Sequence, residues 1–177
     1  MTSLTGIVLA AGSGARMGTP KALLRTADGR PWLSIATSLL RSAGCDPVLV
    51  VLGAAIVDVP AGAVTVIAKD WADGMSASLR AGLRSASGDA VLVSLVDLPE
   101  LPLDVVKRVV AAPIDGATLR QAVFEGRPGH PVLIGRDHWA AVAEGLSGDS
   151  GARDYLVEHG VHEIECGDLF DGHDIDR

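Results

Sequence analysis

A glycine-rich stretch near the start of the chain carries the residue types best suited to bind a charged ligand. Residues 4–10 form a continuous apolar run, typical of a strand buried on both faces, and small residues follow it. We expect Gly12, Gly14 and Gly18 to take backbone angles that a side chain would forbid. Their small size also lets backbone N–H groups approach a ligand closely, and a concave row of such groups binds anions.

Positive charge accompanies these glycines. Arg16 and Lys21 lie in the same short segment of a chain whose net charge is −7, which indicates an anionic ligand, most simply a polyphosphate. The spacing fits neither a Walker loop, since Gly18 is followed by Thr-Pro before Lys21, nor a dinucleotide fingerprint, whose third glycine would be at position 17. A flexible turn after a buried strand is the simpler alternative, but this density of glycine and positive charge favours phosphate binding.

Asp97 is the second candidate, because it ends the most hydrophobic run of the chain, residues 91–96. A carboxylate at that position is costly unless it is exposed, hydrogen-bonded or bound to a cation. A helix cap is the alternative role, but Pro102, where the next helix is expected to begin, is too far along the chain for a direct cap. A magnesium ligand fits better, because Mg²⁺ commonly uses one or two protein carboxylates together with substrate phosphates.

A predicted helix over residues 73–86 brings further polar groups. Gly74, Ser76 and Ser78 lie at its start, where Ser76 or a neighbour can cap it. Free N–H groups and hydroxyls at this end can hydrogen-bond a nucleobase or a ribose. The residues alone leave open whether this is a binding element or an ordinary capped helix.

Two later segments could also line a site. His130 is predicted to lie in a loop, residues 125–130, whose shape is fixed by a glycine and prolines; an ordinary loop histidine is the alternative. Residues 148–151 are predicted to start a helix, with Asp149 or Ser150 as its cap, and Arg153 would then be available to an anionic substrate.

The chain ends in an acidic segment that contains three aspartates. This segment is either a solvated terminus, which the sequence favours, or the source of a second oxygen ligand for the ion at Asp97. The aspartates are Asp171, Asp174 and Asp176.

Strand-like and helical patterns alternate along the whole chain. The predicted strands cover residues 4–10, 48–52, 64–68, 90–96, 117–123, 131–134 and 161–165, and the predicted helices residues 32–43, 73–86, 102–112, 137–144 and 152–159. This order predicts an α/β fold with a mostly parallel sheet and helices on both sides. Because ligands of such sheets bind beyond the carboxyl ends of the strands, the glycine-rich stretch and Asp97 are expected to share one site.

Length and composition exclude several classes of protein. The 177 residues suit a single domain, 1–177. The acidic balance argues against a nucleic-acid partner, and no apolar run approaches the roughly 20 residues that span a bilayer. The start of the chain lacks the pattern of a signal peptide. Cys45 and Cys166 are far apart and belong to no metal-type cluster, so we expect reduced thiols and a cytoplasmic location.

The glycine-rich segment Leu-Ala-Ala-Gly-Ser-Gly-Ala-Arg-Met-Gly-x-x-Lys-x-Leu-Leu resembles the signature loop of the MobA-like nucleotidyltransferases, and of their molybdenum cofactor cytidylyltransferase branch in particular. Further segments resemble the family in order: Trp-x-x-Gly-Met-Ser-x-Ser-Leu at 71–79, Asp97 with Pro99, Arg-Pro-Gly-His-Pro-Val-Leu at 127–133, Gly-Asp-x-Gly-Ala-Arg at 148–153 and Asp-Ile-Asp at 174–176. The likeness covers nearly the whole chain. It implies a Rossmann-like, three-layer αβα nucleotidyltransferase fold.

The resemblance also implies an activity: transfer of a nucleoside monophosphate from a nucleoside triphosphate to a phosphate-bearing acceptor, with Mg²⁺ and release of pyrophosphate. It assigns roles to residues in four groups. The nucleotide would contact Leu9, Ala10, Ala11, Gly12, Ser13, Gly14, Lys21, Gly74, Ser76 and Ser78. Arg16, Lys21 and Asp97 would be catalytic, Asp97 with Asp174 or Asp176 would hold the metal, and Arg127, His130 and Arg153 would contact the acceptor.

Ala11 indicates the nucleotide, because Leu-Ala-Ala-Gly resembles the cytidylyl branch and Leu-Ala-Gly-Gly the guanylyl branch. The resemblance therefore favours CTP, with molybdopterin as acceptor and a molybdoenzyme or its chaperone as a protein partner. Two features depart from the family pattern: Ala68 stands where relatives often have Asn, and relatives usually continue beyond Arg177 into Thr-Pro and a helix. Another nucleotide or acceptor (GTP, a sugar phosphate or phospholactate) is the nearer alternative. A non-catalytic nucleotide-binding assembly factor for a molybdoenzyme is the more distant one.

Overall fold

A seven-stranded sheet forms the centre of the protein. The computed structural model describes residues 2–15, 17–111 and 113–175. The strands are β1 (Leu4–Leu9), β2 (Cys45–Leu52), β3 (Ala63–Ile67), β4 (Ala90–Leu95), β5 (Leu119–Phe124), β6 (Arg127–Gly135) and β7 (His162–Glu165), in the spatial order β3-β2-β1-β4-β6-β5-β7. Strands β1 to β4 pair in parallel, β5 pairs in parallel with β7, and only β6 runs antiparallel to its neighbours β4 and β5. The predicted α/β fold with a mostly parallel sheet is confirmed.

Within the described residues, five α-helices cover the two faces of this sheet. They are α1 (Trp32–Ser42), α2 (Met75–Ser85), α3 (Leu103–Val110), α4 (Trp139–Gly145) and α5 (Arg153–Glu158), and short 3₁₀ turns lie at Lys21–Leu23, Trp71–Asp73 and Arg136–His138. Helices α1 and α3 pack on one face and α2, α4 and α5 on the other. No helix in the part of the chain that the structure describes is long and apolar enough to cross a membrane.

Alternation of side chains along the central strands builds two separate cores. In β1, Val8 belongs to the core under α1 and α3, whereas Ile7 and Leu9 belong to the core under α2, α4 and α5. Both faces of the strand are therefore buried, which explains the continuous apolar run in its sequence. Such a strand is rigid, and its last residue is a fixed point from which the glycine-rich loop leaves the sheet.

The structure corrects one predicted element substantially. Residues 127–130, predicted as a loop, are part of β6, which forms a hairpin with β5. The hairpin turn consists of Glu125 and Gly126, both with positive φ (52° and 74°), the combination that suits a tight turn between two antiparallel strands. His130 therefore lies on a strand of the sheet rather than in a surface loop. The other predicted elements differ from the observed ones only in their ends.

Candidate functional site

A cleft of about 380 Å³ lies beyond the carboxyl ends of β1 and β4. The glycine-rich loop and Asp97 both line this cleft. They therefore share one site, as the order of strands and helices in the sequence predicted. Its lining includes nine of the ten residues predicted to contact the nucleotide: Leu9, Ala10, Ala11, Gly12, Ser13, Gly14, Lys21, Gly74 and Ser78. The tenth, Ser76, is buried beneath the start of α2 and does not line the cleft.

The glycine-rich loop is held by a tight turn. The N–H groups of Met17 and Gly18 both donate to the carbonyl of Gly14, at 2.9 and 2.8 Å. Gly14 has φ +62°, and a β-carbon there would overlap the carbonyl oxygen of Thr19, so only glycine fits. Gly12 is different from the expectation: its φ is not in the left-handed region, and the space where a β-carbon would be is open. A ligand can therefore approach the backbone closely at Gly12.

Lys21 and Asp97 meet inside the cleft although 76 residues separate them in sequence. The Lys21 ammonium donates to Asp97 Oδ2 at 2.5 Å. Both side chains are largely protected from water, with 20% of Lys21 and 8% of Asp97 exposed. Solvent screens such a pair less than it would screen a surface ion pair, so the contact holds the loop against the end of β4.

The second oxygen of Asp97 is buried and, among the described residues, accepts no hydrogen bond. An unpaired carboxylate oxygen inside a protein is costly. A cation in the cleft would remove that cost, so the donor chemistry at this position fits a hard metal ion that takes oxygen ligands. No group of three or more His, Cys, Asp or Glu side chains within the described ranges could hold a metal, so a metal here would take no more than two such side chains from those ranges, and water or substrate oxygens would complete its ligands.

The start of α2 is already capped by another part of the chain. The Met75 N–H donates to Asp149 Oδ1 at 3.2 Å and the Ser76 N–H to the Gly148 carbonyl at 3.1 Å. Ser76 therefore does not cap this helix, and two of the N–H groups that the residues alone left open to a ligand, those of Met75 and Ser76, are already paired. Asp149 and Ser150 do not cap α5 either, since no side chain hydrogen-bonds its N-terminus.

A second, smaller pocket of about 80 Å³ lies next to the main cleft, and Leu9 and Met75 line both cavities. Its polar residues are Gln121, His130, Ser150 and Arg153. Burial lowers the pKa of His130 to about 4, although the nearby Asp174 carboxylate acts in the opposite direction. The His130 ring is therefore neutral at pH 7 and can exchange hydrogen bonds with a ligand but adds no charge.

The remaining predicted residues lie elsewhere. Arg127 lies at the exposed end of the hairpin, where its guanidinium donates to the Asp171 carbonyl at 3.2 Å, and it lines neither cavity. Asp174 is exposed, and the N–H of the following residue, Ile175, donates to the Asp97 carbonyl at 3.0 Å. The terminal segment thus runs beside Asp97. Arg16 and Asp176 lie outside the described residues.

Trp71, Met75 and Asp149 are among the cleft-lining residues that were not predicted as site residues. Trp71 and Met75 belong to the segment 71–79 that resembles the family. This resemblance could have identified both as candidate site residues. Asp149 gave a different signal. Its polar type suited a local helix cap, and nothing in the sequence indicated a contact with Met75, which is 74 residues earlier in the chain.

Comparison with known proteins agrees with this geometry. Residues 6–164 match the MobA-like NTP transferase domain. The chain belongs to this family. It is accordingly a nucleotidyltransferase of the MobA-like type, and the resemblance seen in its motifs is confirmed. The family's name also agrees with the predicted binding of a nucleoside triphosphate, for which the glycine-rich loop and Lys21 are both suited.

Two characterised relatives have different activities in their names. Nicotine blue oxidoreductase of Paenarthrobacter nicotinovorans is 36% identical over 98% of this chain and 92% of its own length. Molybdenum cofactor guanylyltransferase of Rhodobacter capsulatus is 32% identical over 78% of this chain and 66% of its own length. The chain is therefore similar to proteins named for different activities, and family membership does not by itself identify its nucleotide or its acceptor.

Solved structures share the whole fold. Rv0371c from Mycobacterium tuberculosis superimposes with a TM-score of 0.81 at 29% identity, over 99% of this chain and 93% of its own. A second structure of that protein, in complex with manganese, has a TM-score of 0.73 at 27% identity and covers 93% of this chain and 89% of its own. A relative with the same fold thus binds a divalent cation.

Proposed function

We propose that this protein transfers CMP from CTP to a phosphate-bearing acceptor of the molybdopterin type, with Mg²⁺ as its cofactor, and releases pyrophosphate. The observation that carries the proposal is the arrangement of Asp97 in the cleft. One of its oxygens contacts Lys21 and the other is buried without a hydrogen-bond partner in the described part of the chain. A cation-binding carboxylate beside a lysine and an open glycine-rich loop suits a metal–triphosphate ligand.

The reaction needs little covalent chemistry from the protein. An oxygen of the acceptor phosphate attacks the α-phosphorus, and the bond from that phosphorus to the oxygen bridging to the β-phosphorus breaks, so that pyrophosphate leaves. Asp97, with Asp174 or Asp176, would hold Mg²⁺, which when bound neutralises negative charge on the phosphates. Lys21 would hold the departing pyrophosphate, and the loop backbone from Ala10 to Gly14 would orient the nucleotide. Arg16 would add a second positive charge.

The adjoining pocket is the proposed acceptor site. Arg153 supplies positive charge there, and the neutral His130 ring supplies a hydrogen-bonding group. The relative named molybdenum cofactor guanylyltransferase supports a molybdenum cofactor precursor as the acceptor. A molybdoenzyme or its chaperone would then receive the product. Arg127, the third residue proposed for the acceptor, does not line this pocket.

Ala11 supports CTP over a purine nucleotide. Ala11 is buried in the wall of the cleft. Its methyl group and the Trp71 side chain both lie close to Gly53, where a β-carbon would be 2.9 Å from the Ala11 methyl. Ala11 lines the cleft, and we propose that the base binds at this position. We expect A11G to shift the ratio of kcat/KM for CTP and GTP toward GTP by about tenfold, because one methyl group in a pocket changes selectivity by about 1–3 kcal/mol. The matched control is A72G, at another alanine of the cleft; an equal shift in A72G would contradict this role.

A redox reaction is the second candidate, because the relative that is 36% identical over nearly the whole chain is named an oxidoreductase. The same cleft would then hold a nucleotide cofactor that reduces a dye-like substrate. Two assays separate the candidates: pyrophosphate release from CTP, GTP or ATP with Mg²⁺ and molybdopterin, and oxidation of NADH or NADPH with nicotine blue. We expect pyrophosphate release with CTP that D97N abolishes. Dye-dependent NADPH oxidation without pyrophosphate release would contradict the proposed function.

A further inference from the structure

The loop between α4 and α5 forms a wall shared by the main cleft and the smaller pocket. Asp149 lines the cleft, and Ser150, Gly151, Ala152 and Arg153 line the pocket. Met75, the first residue of α2, lies against both cavities. The position of this loop therefore affects the shape of both cavities.

Two hydrogen bonds fix this loop to α2. They join Met75 N–H to Asp149 Oδ1 and Ser76 N–H to the Gly148 carbonyl, at 3.2 and 3.1 Å. They satisfy two of the N–H groups that a helix leaves unpaired at its start. The Asp149 carboxylate also places negative charge at the positive end of the helix dipole, which is favourable. The residue before the helix, Gly74, has no side chain to do the same.

Gly74 makes this contact possible. Its φ is +103°, and a β-carbon at this position would overlap Asp149 Oδ1 and lie 2.7 Å from the Gly148 carbonyl oxygen. Any other residue at position 74 would push the loop away from α2. The hydrogen bond between Met75 N–H and the Asp149 carboxylate therefore requires a glycine at position 74, although residues 74 and 149 are distant in sequence.

We propose that Asp149 is a positioning residue for the nucleotide site. It acts through the backbone of Met75 and Ser76, and so fixes the end of α2 from which Gly74, Met75 and Ser78 line the cleft. This inference rests on the proposed function, since it concerns the binding of a nucleoside triphosphate. This role differs from a direct role in catalysis. Position 149 needs a side chain that accepts a hydrogen bond from the Met75 N–H, and it does not need a carboxylate that acts on the substrate.

The test compares D149A, D149N and G74A. We expect D149A to raise the Kd for CTP with Mg²⁺ about tenfold, the effect of losing a helix cap. D149N keeps an oxygen that can accept from Met75 N–H, so its Kd should lie within about threefold of wild type. G74A should behave like D149A, and the double variant G74A/D149A should be no worse than either single variant, because both changes remove the same contact.

Matched controls remove the effects of charge and of backbone strain. D154A deletes a neighbouring exposed carboxylate that lines neither cavity. G44A introduces a β-carbon at another glycine with positive φ (+94°), where no atom lies within 4 Å. Neither control should change the Kd for CTP. Hydrogen exchange of the Met75 and Ser76 amides, measured without nucleotide, should become faster in D149A and G74A but not in D149N.

Each outcome gives a decision. An unchanged Kd in D149A, a D149N variant as defective as D149A, or additive effects of G74A and D149A would overturn the positioning role while the proposed function stands. If wild-type protein binds no nucleoside triphosphate, the proposed function and this inference are both overturned, whatever the exchange rates show. Faster exchange in D149A together with weaker CTP binding and rescue by Asn would support the inference.

Discussion

Lys21 and Asp97 form an ion pair, and each is also proposed to bind a ligand: Lys21 the triphosphate and Asp97 the metal. A metal at Asp97 must compete with the Lys21 ammonium, which lies 2.5 Å from one carboxylate oxygen. A triphosphate offers Lys21 another anionic partner. Metal and nucleotide should therefore help each other to bind, because a triphosphate draws the Lys21 ammonium away from the carboxylate that the metal needs.

Replacement of Lys21 by methionine should affect the two ligands in opposite directions. Without nucleotide, K21M should bind Mn²⁺ about tenfold more tightly than wild type, because the competing ammonium is gone. In the presence of Mg²⁺ it should bind CTP at least tenfold more weakly, because a charge-assisted contact is lost. Titration of Mn²⁺ followed by electron paramagnetic resonance measures the first effect, and calorimetry with CTP measures the second.

The matched control for this experiment is K107M, which removes the charge of an exposed lysine on α3. K107M should leave both affinities unchanged. Weaker Mn²⁺ binding by K21M in the absence of nucleotide would show that Lys21 does not compete with the metal, and would contradict this account of the ion pair.

His130 should make stability depend on pH. Its pKa is about 4 in the folded protein and about 6.5 when unfolded. Between these values the unfolded chain binds more protons, so stability is fully present above about pH 6.5 and is lost as the pH falls toward 4. The contribution is about 1–3 kcal/mol, with the lower end expected because the ring is only partly buried. Urea unfolding of wild type and H130Q from pH 4 to 7 measures it; parallel curves for the two proteins would argue against it.

At the scale of elements, the loop after β1 depends on two glycines in different ways. G14A should lower the free energy of unfolding by about 1–3 kcal/mol, since a β-carbon there meets backbone atoms of Thr19 and φ is +62°. G12A should leave stability within about 0.5 kcal/mol of wild type, because its β-carbon would meet nothing, but should weaken CTP binding, because it projects into open space of the cleft. Urea unfolding and calorimetry test the pair. A G14A variant as stable as G12A would contradict this reading of the loop.

The sequence was informative about elements whose pattern is local. The strand β1 and the run that ends at Asp97 follow from continuous apolar stretches, and the helix α2 follows from its helical pattern. The hairpin of β5 and β6 was missed because a segment rich in proline and glycine, residues 126–131, looks like a loop. In the structure only Glu125 and Gly126 form the turn, and the prolines fit into a strand that pairs with β5. Pairing with a partner strand outweighed local composition there.

Contacts between distant segments could not be predicted. Nothing near Asp149 in sequence indicates that its carboxylate accepts a hydrogen bond from the start of α2. The meeting of Lys21 and Asp97 was predictable only because both follow the carboxyl ends of parallel strands, which share one edge of a sheet. Topology therefore located the cleft, whereas the capping of α2 required coordinates.

At the scale of the whole molecule, the topology and the charge distribution act together. The direct pairing of β1 with β4 places the glycine-rich loop opposite Asp97. The net charge of −7 makes the approach of a polyphosphate unfavourable over most of the surface. Lys21 lines the cleft and Arg153 lines the adjoining pocket. These positive groups therefore favour the binding of an anionic ligand at this place.

Thermal unfolding with nucleotides is the most direct measurement of the central claim, that the cleft binds a metal–triphosphate through Asp97. Saturating CTP with Mg²⁺, at about 100 times its Kd, should stabilise wild type by about 2.7 kcal/mol and raise its Tm by several degrees. GTP and ATP should raise it less. D97N should keep its fold and show no such shift. No shift with any nucleoside triphosphate, or a shift with NADPH that D97N retains, would contradict the account.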